Sequence, residues 1–80
     1  MKTFHLTIAR VGENLFDGEA TAVTLPGEEG VFTVMANHEA FVTPLKAGEA
    51  VVQTEDGQKL DFSITKGIAE VSSNQTTVLL

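Results

Sequence analysis

The stretch from Ala50 to Ile64, AVVQTEDGQKLDFSI, decides how this chain folds. At its centre stands Glu55-Asp56-Gly57, and an Asp-Gly pair between apolar runs is a strong short-range hairpin signal. On the returning arm Leu60, Phe62 and Ile64 alternate with Asp61 and Ser63, the two-residue period of a strand with one buried face. The outgoing arm, Ala50 to Thr54, has the β-branched content of a strand. An isolated hairpin is marginal in water, so further strands must cover its apolar face.

The flanking sequence supplies them. Phe4, Leu6 and Ile8 alternate with Thr3, His5 and Thr7, which puts His5 on a polar face. Val11 to Asn14 reads as a turn, and Leu15-Phe16 as a strand stub ended by Asp17-Gly18. From Glu19 to Leu25 a strand carries Thr21, Val23 and Leu25 on one face and Ala20 and Ala22 on the other. Pro26-Gly27 closes it, and Gly30 ends the turn that holds Glu28-Glu29. Val31–Met35 and Phe41–Leu45 follow, separated by the loop from Ala36 to Glu39. Pro44 has no ladder N–H, which predicts an edge or a bend. Lys46 to Glu49 turns into the hairpin and Thr65-Lys66-Gly67 turns out of it. Ile68, Glu70 and Ser72 then oppose Ala69 and Val71, and after Ser73-Asn74-Gln75 the last strand runs from Thr76 to Leu80. Strands about every eight to ten residues, with no helical stretch between, predict an all-β sandwich or barrel of antiparallel strands.

Eighty residues make one domain, 1–80. Without cysteine it has no disulfide or thiolate metal site. The net charge of −6 and five scattered cations (Lys2, Arg10, Lys46, Lys59 and Lys66) argue against nucleic acid and anionic lipid as partners. The N-terminal residues hold no apolar signal-peptide core, and no run approaches the ~18 apolar residues of a membrane span. These features predict a soluble intracellular protein.

Catalytic chemistry finds no foothold. His5 faces solvent, and His38 has no cysteine or second histidine at metal spacing. Ser63, Ser72 and Ser73 lack a nucleophile-elbow context, and the glycines match neither the P-loop nor the dinucleotide pattern. The carboxylate pairs Glu28-Glu29 and Glu55-Asp56 sit at turn tips rather than in a pocket that would separate their pKa values. No catalytic, cofactor or metal residue and no small-molecule substrate is expected. The anomaly is one of packing. In Val31-Phe32-Thr33-Val34-Met35, Phe32 and Val34 occupy one face and Val31 and Met35 the other, whereas a sandwich strand buries only one face. That second apolar set is either covered by a neighbouring loop or a patch for another protein. The apolar end Val78-Leu79-Leu80 predicts a docked terminus or a longer ancestral chain.

A set of residues in order carries a family resemblance. Phe16-Asp17-Gly18-Glu19-Ala20, Val23 through Gly30, Phe32, Val34, His38, Val42-Thr43, Leu45-Lys46 and Gly48 resemble the epsilon subunit of F-type ATP synthases. Phe4-His5-Leu6, Gly67, Glu70-Val71 and Thr77-Val78-Leu79 extend the likeness over the whole chain. The chain departs from the family at Ala36-Asn37, where Pro-Gly is frequent, and at Glu39-Ala40-Phe41, where Ala-Pro-Leu is common. It departs again at Val31, where a polar or acidic residue is frequent. Family members usually continue into a C-terminal helical hairpin, whereas this sequence stops at Leu80.

The resemblance implies an antiparallel β-sandwich of about ten short strands at the foot of the rotor. Such a domain binds the gamma subunit and the polar loops of the c-ring, and couples proton flow to ATP synthesis without chemistry of its own. Its expected place is the cytoplasmic face of the bacterial inner membrane, as a peripheral subunit that does not insert. Glu28, Glu29, Gly30 and Val31 would face the c-ring. Arg10, His38 and Thr43 match positions near gamma, and Met35 joins Val31 as an apolar anchor. Without the hairpin the chain would keep the coupling role, bind no ATP and exert no restraint on hydrolysis. The alternative is a free-standing small-ligand-binding sandwich. It is weakened because all five aromatic residues are Phe, with no Trp or Tyr to offer a polar handle.

Overall fold

The computed structural model of the chain describes residues 2–37, 40–72 and 74–80. Eight strands make up the fold: β1 (Phe4–Arg10), β2 (Glu13–Gly27), β3 (Gly30–Met35), β4 (Phe41–Leu45), β5 (Gly48–Thr54), β6 (Lys59–Ile64), β7 (Gly67–Ser72) and β8 (Gln75–Leu79). They form one hydrogen-bonded sheet, ordered β1-β8-β7-β4-β2-β5-β6, with β3 added to β2 and β1 also pairing with β2. The sheet wraps around a single core. Phe4, Leu6 and Ile8 enter it from β1, Val23 and Leu25 from β2, and Val34 from β3. Val52, Ile64, Val71 and Val78 complete the packing from β5 to β8. The all-β class read from the alternation is what forms.

The hairpin centred on Asp56-Gly57 forms as expected, with Ala50 opposite Phe62 and Val52 opposite Leu60. Thr54 N–H donates to Gln58 O at 2.9 Å and Gly57 N–H to Thr54 O at 3.1 Å. Gly57 takes φ +90, a conformation that favours glycine.

Two expectations need correction. Among the described residues the strands number eight rather than about ten, and the stub at Leu15-Phe16 and the strand from Glu19 are one element. Asp17 and Gly18 do not turn: they pair with Thr7 and Leu6 of β1, and this long-range pairing overrides their local turn preference. Nor is every pair antiparallel, since β8 lies parallel to β1, from His5 opposite Gln75 to Ala9 opposite Leu79. The whole intervening chain serves as the long connection that parallel strands require.

The fifteen residues of β2 would reach roughly 50 Å if straight at ~3.3 Å per residue, yet the longest dimension of the domain is 30 Å. The strand therefore bends. Its register with β5 shifts between Ala20 and Ala22, and the extra residue there is a bulge. The expected strict alternation consequently fails at this point, and Ala20, Ala22 and Val23 are all buried. Before the bulge β2 pairs with β1, and after it with β3.

β4 pairs along its length with β7 but meets β2 only at Gly27–Leu45, the near-edge position that Pro44 predicted. The apolar chain end is docked: Val78 is fully buried, and Leu80 N–H donates to Ala9 O at 2.9 Å.

Candidate functional site

Cross-strand register assembles an outward row from residues far apart in sequence. Pro44 of β4 stands opposite Ile68 of β7, Ile68 opposite Leu79 of β8, and Leu79 opposite Ala9 of β1. Ile68 and Leu79 are 42% and 52% exposed, and Val42, the next outward residue on β4, is 59% exposed. Each has the opposite phase to a core neighbour, so burying Ala69, Val71, Leu45 and Val78 forces these side chains outward. The next outward row starts at Val42 and is polar beyond it, running Glu70, Thr77, Thr7 and Asp17.

The outer face of β3 carries a second apolar set. Val31 is 71% exposed and Met35 59%, as the two-faced pattern predicted, while Val34 is buried. Between them the Thr33 and Thr24 hydroxyls meet at 3.0 Å. Phe32 turns the other way, onto Phe41, with ring centroids 5.4 Å apart and planes at 67°.

Other residues expected at an interface are dispersed. Glu28 and Glu29 form the exposed β2–β3 tip, tied down where Glu28 N–H donates to Pro44 O at 3.1 Å and Lys46 N–H to Pro26 O at 2.9 Å. Gly30 adopts φ +143, so the tip needs glycine for its backbone, although a Cβ there would have open space. Arg10 lies at the end of β1, its Nε 3.7 Å from a Glu13 carboxylate oxygen. With Val11, Ser63, Thr65, Lys66 and Leu80 it borders a shallow depression. Thr43 opposes the buried Ala69 and is half-buried, out of phase with the exposed Val42. His38 lies outside the described residues. The structure thus joins Glu28 to Val31 in one tip, puts Met35 at the far end of β3, leaves Arg10 at the end of β1, and sets Thr43 next to Pro44, whose carbonyl accepts from Glu28.

Electrostatic features of the surface are local. His5 is bracketed by Asp17 (Nε2 to Oδ1, 2.6 Å) and Glu19 (Nδ1 to Oε2, 3.3 Å), and Thr3 hydroxyl donates to Glu19 at 2.8 Å. The hydrogen bond with Asp17, then that with Glu19, raises the His5 pKa above its ordinary 6.5. In the β5–β6 turn the Thr54 hydroxyl bonded to Asp56 holds that carboxyl below its usual range. Among the described residues no group of three or more His, Asp or Glu side chains is arranged to hold a metal ion. The arrangement offers contact surfaces: an apolar row, an apolar strand and an acidic tip.

Sequence reasoning missed Pro44, Ile68 and Leu79 as members of one exposed row. Their signal was only that each stands out of phase with the core, and nothing local aligns them across three strands.

Comparison with known proteins bears on what such surfaces serve. The family described as "ATP synthase, Delta/Epsilon chain, beta-sandwich domain" matches residues 3–80. An ATP synthase epsilon chain of Xanthomonas campestris pv. campestris (strain B100) is 40% identical over 80 residues, covering 100% of this chain and 57% of the relative. One from Stenotrophomonas maltophilia (strain K279a) is 40% identical over 79 residues, covering 99% and 56%. The chain therefore spans a little over half the length of these relatives. It also superposes on a chain in the Euglena gracilis mitochondrial ATP synthase structure of OSCP, F1 and c-ring. The TM-score is 0.90 at 29% identity, over 96% of this chain and 49% of that one. A chain from the central stalk and c-ring of the Tetrahymena thermophila mitochondrial ATP synthase matches with TM-score 0.78 over 98% of this chain and 63% of that one. At 14% identity it shares the fold alone.

Proposed function

Because this chain belongs to the ATP synthase delta/epsilon-chain β-sandwich family, we propose that it is a non-catalytic rotor subunit of an F-type ATP synthase. It binds the gamma subunit and the c-ring and couples proton flow to ATP synthesis. The observation that carries this reading is the row Pro44, Ile68 and Leu79 beside Val42, left exposed although the core is closed without it. A contiguous apolar patch on a small domain marks a contact with another protein, and here the partner is gamma. The acidic Glu28-Glu29 tip, braced by backbone bonds to β4 and to Lys46 just after it, is the contact for the polar loops of the c-ring.

Coupling asks of such a subunit that it hold two partners on one stiff body, so that rotation of one moves the other. A single sheet closed around one core meets that requirement, because close-packed interiors transmit strain rather than absorb it. The place of action is the cytoplasmic face of the bacterial inner membrane, where the chain is held through its partners. No helix among the described residues is long and apolar enough to cross a membrane.

The test is binding of this chain to isolated gamma and to c-ring-containing complex. Ile68→Asp should weaken gamma binding by at least about thirtyfold, as truncating a desolvated anchor costs ~2 kcal/mol or more. Its thermal melt should match that of the unaltered chain. Normal binding by Ile68→Asp, or no binding by the unaltered chain, would overturn the assignment.

A further inference from the structure

The apolar row is flanked by charges of opposite sign. Lys46 lies two residues beyond Pro44, and Lys66 two residues before Ile68, so both stand on the rim side of the row. Glu70, two residues after Ile68, stands on the other side, with Val42 and Thr77 as its register neighbours. All three charged residues are exposed. The ion pairs among the described residues are His5 with Asp17 and Glu19, and Arg10 with Glu13, and none of these involves Lys46, Lys66 or Glu70.

From the lysines to Glu70 the face changes from cationic through apolar to anionic over four residues of β7, roughly 13 Å at ~3.3 Å per residue. Across the strands, the row from β4 to β1 spans three inter-strand spacings, about 14 Å. An apolar strip alone fixes neither the direction nor the register of what lies on it, whereas flanks of opposite sign do.

Resting on the reading of this face as the gamma contact, we infer that it reads charge order. The gamma segment seated on Pro44, Ile68 and Leu79 carries carboxylates on its flank toward Lys46 and Lys66. It carries Lys or Arg on its flank toward Glu70. The inference concerns which way round the partner sits, which the apolar contact leaves open.

The experiment measures the affinity of isolated gamma for two variants, Lys46→Glu/Lys66→Glu and Glu70→Lys, at about 0.02 M and about 0.5 M salt. Lys59→Glu on β6, away from this face, is the control, and thermal melts report folding. A charge-ordered face predicts that both variants bind about three- to tenfold more weakly at low salt. Both should converge on the unaltered chain at high salt, and Lys59→Glu should bind normally. If only overall charge matters, the two variants shift affinity in opposite directions, because one makes the chain more negative and the other less. That outcome overturns the inference, and so does the absence of any effect. The apolar reading has its own test in Ile68→Asp, so the contact can stand while the charge order fails.

Discussion

Replacing Gly67 with alanine probes the joint on which the apolar row depends. Gly67 opens β7 opposite Leu45, and a Cβ placed on it would stand 2.6 Å from Leu79 O and 2.9 Å from Leu80 Cδ2. Its backbone lies outside the positive-φ region, so alanine can adopt the conformation and would by itself stabilise the fold by about 0.4–1 kcal/mol. The clash works against this. Leu79 is held by its pairing with Ile68, and Leu80 by its bond to Ala9, so the oxygen cannot simply withdraw. Overpacking of this kind costs roughly 1–3 kcal/mol, which leaves a net loss of about 1–2 kcal/mol. In a domain of this size that lowers the melting temperature by roughly 5–15 °C. Gly12→Ala is a useful contrast, because φ is +80 there and nothing lies within 4 Å. It should destabilise through backbone strain alone, by about 1–2 kcal/mol, without disturbing β8. Calorimetry gives the stability change, and amide exchange at Leu80 separates the cases, with faster exchange expected in Gly67→Ala at matched stability. An unchanged or raised melting temperature for Gly67→Ala would refute the packing argument.

Three further predictions follow from other parts of the domain. Because Asp17 and then Glu19 raise the His5 pKa, the stability that His5 contributes over His5→Gln is full below its ordinary 6.5 and is lost as pH rises through the raised value. Melts of both proteins from acid to mildly alkaline pH should show that difference shrinking, and a constant difference would contradict it. Val31→Asp and Met35→Asp should weaken assembly with gamma or the c-ring more than Glu28→Gln does, since exposed rim charges are worth under about 1 kcal/mol. Equal, normal binding by all three would mean that the outer face of β3 is no contact. Leu6→Ala removes a side chain with 0% exposure and should cost about 2–5 kcal/mol. That is a large share of the total stability, and a denaturant midpoint near that of the unaltered chain would show that the core closes around the gap.

Most of the strands were legible because their signal is local: alternation at Phe4, Leu6 and Ile8, alternation at Leu60, Phe62 and Ile64, and an Asp-Gly turn between β5 and β6. The chain hid whatever depends on pairing at a distance. Asp17-Gly18 has turn chemistry yet lies inside β2, because β1 supplies a partner for each residue. The parallel union of β1 with β8 leaves no mark in either segment. The exposed apolar strand at Val31 and Met35 was visible, since both its faces are apolar within six residues. Pro44, Ile68 and Leu79 were not, because each is an ordinary outward residue until register sets them side by side.

The pairing of the first strand with the last bears on how the domain is made. Translation delivers β1 early, but its parallel neighbour forms only from residues 75–79. Until these leave the ribosome, Leu6 and Ile8 lack the cover of Val78, and the row lacks Leu79. Ribosome-bound chains arrested at successive lengths should therefore resist protease and capture gamma only after residue 79 clears the exit tunnel. Early capture by shorter chains would count against this order. A nascent domain built this way gains its closed core and its complete outward row together, since residues 75–79 supply both Val78 and Leu79.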